Sequence, residues 1–251
     1  LSQKVAIHID DTHPALCIPE LMRILMDEYE VSWEQAWDLT SKVMSYTNHT
    51  IMAEALEKWP TYLMKRSLPR MYQIIKEIDR RYVVSMSGIH DAALIERTRI
   101  IQGEEIHMAN LAIIGSHSTN GVAKLHSDLL KAVVLHDFYT IYPERFNNKT
   151  NGIAQRRWLQ LSNEPLSRVL DETIGQSWRH EPADLKLLMN YQNDPIVLEK
   201  LAKAKQQKKE ELAKYIQETT GIIVNPTAIF DVQIKRLHAY KRQLLNLLHI
   251  L

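Results

Sequence analysis

A run of positively charged side chains near the end of the sequence is the pattern best suited to chemistry. The motif FDVQIKRLHAYKRQ carries four fixed cations within eight residues: Lys235, Arg236, Lys241 and Arg242. Such a group attracts a doubly charged anion, and phosphate is the most plausible one. A short charge run is also typical of a solvated surface. Because cations at a helix start are unfavourable without an anion, the pattern leans towards a ligand site, and both interpretations stay open.

The residues around the basic motif predict the elements that position it. Phe230–Val232 is predicted as a short strand and Tyr240–Leu251 as a helix with leucines on one face. The connecting residues would then lie at the carboxyl end of a strand, where open α/β sheets bind ligands. A similar signal occurs earlier, where a predicted strand over Leu111–Ile114 is followed by the loop Ser118–Gly121 and a helix over Val122–Val134.

The rest of the sequence predicts helices around short strands. Val5–Ile9 is predicted as an apolar strand that enters a polar turn. Ser32 and Gln35 have the spacing of a capping box for a helix that ends at Val43. The polar loop Phe146–Gly152 is the best candidate for a domain boundary. Further helices are predicted over Pro19–Tyr29, Met52–Trp59, Pro69–Tyr82, Ser167–Ile174, Ala183–Met189 and Pro195–Thr219.

Composition limits the class of protein. The 251 residues are 45% hydrophobic and 24% charged, which is typical of a soluble globular protein with one large or two small domains. The net charge of +1 excludes a general nucleic-acid footprint. The single cysteine excludes an internal disulfide framework and fits a reducing cytoplasm. No apolar run is long enough to span a bilayer.

The ends of the sequence suggest a piece of a longer polypeptide. Leu1–Gln3 lead directly into the first apolar strand, and Leu251 closes the chain within an apolar helix, without a polar tail.

Long motifs, in order along nearly the whole chain, resemble the α-glucan phosphorylases, the family of the glycogen, starch and maltodextrin phosphorylases. The motifs are DDTHPALCIPELMRIL (Asp10–Leu25), TNHTIMAEALEKWP (Thr47–Pro60), GSHSTNGVAKLHSDLL (Gly115–Leu130), FNNKTNGIAQRRWL (Phe146–Leu159) and FDVQIKRLHAYKRQLLN (Phe230–Asn246). The resemblance implies a helix-rich α/β fold of the GT-B type, with two Rossmann-like domains facing each other across a catalytic cleft. Residues 1–151 would then be the end of the first, glucan-binding domain. Residues 152–251 would be the start of the second, cofactor-binding domain.

The resemblance also implies an activity. The family transfers a terminal α-1,4-linked glucosyl unit to inorganic phosphate and releases α-glucose 1-phosphate with retained stereochemistry. Its cofactor is pyridoxal phosphate, whose phosphate group relays the proton. The expected partners are an α-1,4-glucan and inorganic phosphate, with no nucleic acid and no membrane. The full-length protein is expected to be a homodimer in the cytoplasm.

The family motif assigns roles to the basic segment. Arg236 and Lys241 would bind the substrate phosphate, with Lys241 also near the cofactor, and Lys235 would neutralise the cofactor phosphate. Tyr240 would reach a sugar hydroxyl, and Trp158 would lie near the cofactor. From the residues alone, apolar packing is the default role of both aromatic side chains.

The resemblance assigns other residues to the sugar. His49 would contact the glucosyl unit, and its backbone carbonyl would favour positive charge developing on the sugar. Asn151 would bind the sugar O6, and Val122 would contact the sugar through its backbone. Asp11 and His13 would line the acceptor side.

Residue type alone leaves plainer roles open for the sugar-side residues. His49 is typical of a histidine bonded to its own loop, and Asn151 of a turn residue. Asp11 and His13 have a spacing seen in metal ligands, but a third ligand is missing, so no metal site is predicted.

Some positions depart from the family pattern. Asp10 stands where the family usually has asparagine, so two adjacent carboxylates would lie near the acceptor site. Thr119 replaces an apolar residue and Gln155 a proline, both beside contact residues and not on them.

The family's cofactor lysine would lie beyond Leu251, so the isolated segment is expected to be inactive. A stand-alone carbohydrate-binding or regulatory module without catalysis is the alternative. A glycoside hydrolase, which needs two facing carboxylates, has Glu54 and Glu57 available but gives the basic cluster no purpose. The preferred glucan and any allosteric control stay open.

Overall fold

The computed structural model describes residues 3–251. Residues 1 and 2, at the start of the predicted first domain, lie outside the described residues. The chain divides between Asn151 and Gly152 into two compact units. It is mixed α/β and rich in helix, which confirms the predicted class. The arrangement of two Rossmann-like domains across a cleft stays a prediction.

Short strands belong to the first unit. In chain order they are β1 (Ile7–Asp10), β2 (Met44–Thr47), β3 (Lys58–Pro60), β4 (Ile101–Gln102), β5 (Glu105–His107), β6 (Ser118–Gly121) and β7 (Phe146–Asn148). Four of them form a parallel sheet in the order β1-β2-β6-β7. The other three form a small antiparallel sheet in the order β3-β5-β4. Because the strands of the larger sheet are parallel, their carboxyl ends share one edge.

α-Helices connect these strands and are also present in the second unit. In chain order they are α1 (Cys17–Arg23), α2 (Trp33–Val43), α3 (Thr61–Ser67), α4 (Pro69–Met86), α5 (Ala92–Thr98), α6 (Met108–Ile114), α7 (Lys124–Leu129), α8 (His136–Ile141), α9 (Glu164–Ile174), α10 (Pro195–Thr220) and α11 (Gln243–Ile250). The Ser32 hydroxyl accepts the backbone N–H of Gln35 at 3.4 Å, so the predicted helix start is confirmed.

The core of the first unit holds the parallel sheet against its helices. Ile9 on β1, Tyr46 on β2, Ile75 on α4 and Leu111 on α6 are all fully buried and share one apolar cluster. Burial of each such side chain contributes about 1.5–3 kcal/mol. The close-packed apolar cluster therefore holds the strands of the sheet, and with them the strand ends, in fixed positions.

Four predictions for the first unit were wrong, and one of them is the loop over Phe146–Gly152, whose first three residues form β7. Leu111–Ile114 lies in α6, where all seven residues are buried; a fully buried helix has no polar face that would separate it from a buried strand. Ser118–Gly121 is the strand β6, although its residues are polar. Two of its polar side chains find partners within the sheet: Asn120 Oδ1 accepts the Thr47 hydroxyl at 2.9 Å, and the Ser118 hydroxyl accepts the Asn147 amide at 2.8 Å. Met52–Trp59 forms a short turn and then enters β3.

The second unit packs α9 against α10. Lys200 Nζ lies 2.6 Å from Glu172 Oε2 between the two helices. Trp178 is fully buried, and its indole N–H donates to Asp171 at 3.2 Å.

The predicted strand over Phe230–Val232 was wrong. Within residues 152–251 no strand is found, so this segment has no neighbour to supply the hydrogen bonds of a sheet. The predicted helix after it is confirmed over Gln243–Ile250, where four leucines are more than half exposed. The basic residues therefore lie before a helix, but not at the end of a strand.

Residues 3–251 contain neither a candidate membrane-spanning helix nor a candidate metal-binding cluster. No helix there combines the length and apolar character needed to cross a membrane. No group of three or more histidine, cysteine, aspartate or glutamate side chains there is placed to hold a metal ion.

Candidate active site

The carboxyl edge of the parallel sheet carries the predicted sugar-side residues. Asp11 and His13 follow β1, and His49 follows β2 after one intervening residue. Val122 comes directly after β6, and Asn151 lies three residues beyond β7. The fold therefore brings these five residues to one edge, the position at which α/β sheets bind their ligands.

Backbone hydrogen bonds join neighbouring strand ends at this edge. The Asp11 N–H donates to the Thr47 carbonyl at 3.0 Å, which joins β1 to β2. The Asn48 N–H donates to the Asn120 carbonyl at 2.9 Å, which continues the ladder to β6. The edge is thus a continuous hydrogen-bonded rim.

Val122 and Asn151 are joined by a backbone hydrogen bond. The Asn151 N–H donates to the Val122 carbonyl at 3.2 Å. The side chain of Asn151 is exposed, so its amide is available to a ligand. The loop after β7 is therefore held against the end of β6 while its polar group stays free.

His49 forms a close pair with Asp10. Its Nε2 lies 2.6 Å from Asp10 Oδ1. The hydrogen bond from His49 holds the pKa of Asp10 below its usual range, so Asp10 is ionised at neutral pH. Because Nε2 is occupied, Nδ1 is the ring nitrogen of His49 that remains for a ligand.

Asp11 and His13 share a second polar cluster with Glu57. His13 lies 3.8 Å from Asp11 through Nε2 and 3.8 Å from Glu57 through Nδ1. Glu57 also accepts the Thr12 hydroxyl at 3.0 Å and the Trp59 indole N–H at 3.0 Å. Asp11 has a backbone φ of 65°, which directs the chain sharply away from β1. This cluster presents two carboxylates and an imidazole on the β1 side of the edge.

Asn48 and His126 form a further polar group between β2 and β6. Asn48 is fully buried, and its Oδ1 accepts the Thr50 N–H at 2.9 Å. The half-buried ring of His126 lies 3.2 Å from the same oxygen through Nε2 and accepts the Val122 N–H at 3.1 Å through Nδ1. Residues predicted to meet the sugar are therefore supported by a hydrogen-bonded layer.

The second unit carries the basic residues. Lys235 and Lys241 line a surface groove of about 670 Å³, together with Arg242 and Asn246. Arg236 is not among the lining residues; its backbone carbonyl accepts the side-chain amide of Gln243 at 2.8 Å. We call the segment from Lys235 to Arg242 the basic segment.

The cations of the basic segment differ from most arginines of the first unit in having no acidic partner. Within residues 3–251, none of its four cations lies within 4.0 Å of a carboxylate. By contrast, Arg23, Arg70 and Arg97 each bind an acidic side chain at 2.5–2.8 Å. The basic segment therefore offers uncompensated positive charge to an anion.

The profile of the family described as "Carbohydrate phosphorylase" matches residues 1–251, the whole of this sequence. This chain belongs to the carbohydrate phosphorylase family. It is 54% identical to the glycogen phosphorylase of Bacillus subtilis (strain 168), with all of this chain and 32% of that protein aligned. The muscle forms of glycogen phosphorylase from mouse and human are 46% and 44% identical, with 99% of this chain and 30% of each relative aligned. The chain thus spans about a third of the length of these relatives.

The aromatic residues predicted for the phosphorylase site lie in the second unit. Tyr240 is half-buried; its ring packs 4.3 Å from that of His238 and lies 5.7 Å from Lys241 Nζ, centroid to nitrogen. Trp158 is 73% exposed in a helical turn over Arg156–Leu161, so the buried-core interpretation of this tryptophan was wrong. Trp158 is not among the residues that line the basic groove.

Sequence reasoning about this family member missed the supporting residues. Asn48 stands next to His49 in TNHT, but β2 before it was not predicted, so its place at a strand end was not visible in the sequence. Glu57 was considered only as a hydrolase carboxylate, and His126 only as part of a longer motif. No local pattern links His126 to Asn48, because 78 residues separate them.

Proposed function

We propose that the complete polypeptide containing this sequence is an α-glucan phosphorylase. It cleaves a terminal α-1,4-glucosyl bond with inorganic phosphate and releases α-glucose 1-phosphate with retained stereochemistry. The observation that carries the proposal is the position of His49, Val122 and Asn151 at one sheet edge of a phosphorylase-family chain. Because it transfers a glucosyl unit from a glucan to phosphate, the complete protein is a glycosyltransferase in this proposal.

The first unit supplies the sugar contacts in this proposal. His49 binds a glucosyl hydroxyl through Nδ1, because Asp10 holds Nε2. The exposed amide of Asn151 binds O6. Val122 contributes its carbonyl, which has a second lone pair after accepting the Asn151 N–H. Asp11 and His13 line the acceptor side, where carboxylates accept bonds from sugar hydroxyls.

The second unit supplies the phosphate contacts. Arg236 offers a planar pair of donors to two phosphate oxygens, and Lys241 offers a compact charge. Tyr240 binds a sugar hydroxyl through its phenol. These cations bind phosphate well because no carboxylate competes for them within the described chain.

The basic groove also fits the phosphate of pyridoxal phosphate. Beside Leu245, Leu248 and His249, its lining holds ammonium, guanidinium and amide groups, which are donors that a phosphate can use. Lys235 and Lys241 would hold that phosphate, with Trp158 near the cofactor. When bound, the cofactor supplies a phosphate group that takes part in proton transfer. The lysines also offset the repulsion between two nearby phosphates, which is large in a closed site.

The test is phosphate-dependent glucan cleavage by the complete polypeptide. We expect glucose 1-phosphate from a maltooligosaccharide only when orthophosphate is present. Arg236→Gln should raise the KM for phosphate by roughly tenfold to a hundredfold, because a charge-assisted hydrogen bond contributes about 1.5–3 kcal/mol. Arg66→Gln is the matched control, since Arg66 is exposed and outside both sets of residues.

The outcomes separate the alternatives. Free glucose without phosphate consumption would support a glycoside hydrolase and contradict the proposal. Glucan binding with no turnover would support a carbohydrate-binding module.

Three further expectations belong to the same proposal. We propose that residues 1–251 alone are inactive, and glucose 1-phosphate formation by the purified segment would contradict this. We also propose that the complete protein is a homodimer in the cytoplasm. Sedimentation of the purified protein and fractionation of its cells test these two points.

A further inference from the structure

The ring of His126 lies between the ends of two neighbouring strands. Its Nδ1 is 3.1 Å from the backbone nitrogen of Val122, just after β6. Its Nε2 is 3.2 Å from Asn48 Oδ1, just after β2. One side chain on α7 therefore connects two strand ends of the candidate site.

The direction of these hydrogen bonds is fixed by two backbone amides. The Val122 N–H can only donate, so Nδ1 of His126 must accept and carry no proton. The Thr50 N–H also can only donate, so the atom that it meets on Asn48 is the acceptor Oδ1, at 2.9 Å. His126 is therefore neutral with its proton on Nε2, which it donates to Asn48.

The surroundings leave this arrangement little freedom. Asn48 is fully buried, and its Nδ2 donates to the hydroxyl of the buried Tyr46 at 3.1 Å. A methyl group at Gly121 would lie only 3.0 Å from His126 Nδ1, so β6 and α7 are in close approach. A shift of the ring would therefore break the hydrogen bonds that join it to the two strand ends.

We propose that His126 is a positioning residue that sets the distance between the Val122 backbone and the turn that carries His49. The inference rests on the proposed function, because Val122 and His49 are its sugar-side residues. Since His126 occupies the Val122 N–H, Val122 can offer a ligand only its carbonyl. His126 thereby also decides that this part of the site accepts hydrogen bonds from sugar hydroxyls.

Two conservative variants each remove one of the two hydrogen bonds of His126. In His126→Asn the amide oxygen stands near the place of Nδ1 and accepts the Val122 N–H, but the donor to Asn48 is lost. In His126→Gln the amide nitrogen reaches the place of Nε2 and donates to Asn48, but the acceptor for Val122 is lost. His126→Ala removes both bonds.

The first measurement is steady-state kinetics of the complete polypeptide. We expect kcat/KM for the glucan to fall about tenfold in each conservative variant, the effect of one lost hydrogen bond, and further in His126→Ala. The KM for orthophosphate should change less than about twofold. Unchanged glucan kinetics in all three variants would overturn the inference, as would an equal rise in the KM for both substrates.

The control is another partly buried histidine in the same unit. His107 lies on β5 in the antiparallel sheet, and its Nε2 is 3.9 Å from Glu105. His107→Asn should leave the kinetics of both substrates unchanged, and a loss equal to that of His126→Asn would overturn the inference.

A second measurement does not depend on catalysis. Amide hydrogen exchange of the same polypeptide should quicken around Val122 in His126→Gln, but much less in His126→Asn. Equal exchange in both variants and the wild type would overturn the inference. A wild type without phosphorolysis that shows this difference would contradict the proposed function and leave the positioning role standing.

Discussion

His49 and Asp10 are joined by a 2.6 Å contact between Nε2 and Oδ1, which links the ends of β2 and β1 at the site edge. The partner of a histidine determines which ring nitrogen is left for a ligand. Here the ionised Asp10 takes Nε2, so Nδ1 is the nitrogen through which we propose that His49 meets the sugar. In that proposal Asp10 acts on the sugar side through His49, although Asp10 is not itself a predicted contact residue.

Replacing Asp10 tests this relationship. In Asp10→Asn the amide oxygen can still accept from Nε2, so we expect only a few-fold loss of kcat/KM for the glucan. Asp10→Ala leaves the ring without a partner and should lose roughly tenfold. Steady-state kinetics of the complete polypeptide measures both effects.

Asp38→Ala is the control for Asp10→Ala. Asp38 is an exposed carboxylate in a surface pair with Lys42 at 2.7 Å, on α2. It should keep full activity. Equal activities of Asp10→Ala and the wild type would contradict the role of the pair.

The basic segment should be sensitive to loss of one charge. Lys241→Met keeps the length and apolar stem of the side chain but removes its ammonium group. We expect the KM for orthophosphate to rise at least tenfold, because the remaining cations hold a doubly charged anion less well. The measurement is initial rate against phosphate concentration at fixed ionic strength.

Lys205→Met is the matched change for Lys241→Met. Lys205 is exposed on α10 and, among the described residues, lies within 4.0 Å of no carboxylate. Its replacement should leave the KM for phosphate unchanged. A similar rise in both variants would show that overall charge, and not the basic segment, controls phosphate binding.

The candidate site residues follow from the resemblance of long motifs to the phosphorylase family, because residue type alone left plainer roles open for them. The α-helices over Pro69–Tyr82, Ser167–Ile174 and Pro195–Thr219 and the Ser32 cap were predicted correctly, because polar faces and caps are local signals. The helix over Leu111–Ile114 was predicted as a strand, because a helix buried on all sides has no polar face. The strand over Ser118–Gly121 was predicted as a loop, whereas Phe230–Val232 was predicted as a strand and is none. Both errors arise because strand formation depends on neighbours that lie far away in the chain. The contact of His126 with Asn48 could not be predicted for the same reason, because it joins residues that are distant in the chain.

Asp79 stabilises the first unit from its interior. The carboxylate is 3% exposed, and it accepts the Ile100 N–H at 2.7 Å and the Ile101 N–H at 3.1 Å. Arg99 Nη2 lies 2.6 Å from its other oxygen. Asp79→Ala should lower the free energy of unfolding by about 3–5 kcal/mol, because it leaves buried donors and a charge without a partner.

Urea unfolding measures the effect of Asp79→Ala. The control is Asp27→Ala, which breaks a surface pair with Arg70 and should cost about 0–1 kcal/mol. Equal losses in the two variants would contradict the difference that burial predicts.

Stability of the protein should fall in mild acid because of two histidines. Burial lowers the pKa of His126 and of His107. The unfolded chain, with histidine pKa values of about 6.5, then binds more protons than the folded chain below that pH. Stability is therefore full above pH of about 6.5 and declines as the pH falls below it.

The urea midpoint between pH 7.5 and 5 measures this decline. The double variant His107→Asn/His126→Asn should have a flatter pH profile than the wild type. Carboxylates with lowered pKa values, such as Glu77 at about 2, act only in stronger acid and do not interfere. A slope that the double variant leaves unchanged would assign the decline to other groups.

Gly121 is predicted to be intolerant of any side chain. A Cβ atom there would lie 2.6 Å from Ser127 Oγ and 3.0 Å from His126 Nδ1. Contacts this short force β6 and α7 apart, and such overpacking costs about 1–3 kcal/mol. Gly121→Ala should therefore lower the unfolding midpoint and also weaken glucan binding, because it displaces the ring that positions Val122.

Gly152→Ala is the control for Gly121→Ala. A Cβ at Gly152 meets nothing within 4 Å, and the residue does not have a positive φ. The change should be neutral or slightly stabilising, since alanine restricts the unfolded chain more than glycine does. If Gly121→Ala destabilised the protein but left the KM for the glucan unchanged, the close approach would be a packing feature only. A rise in that KM, with the KM for phosphate unchanged, would connect the packing of β6 against α7 to the sugar site.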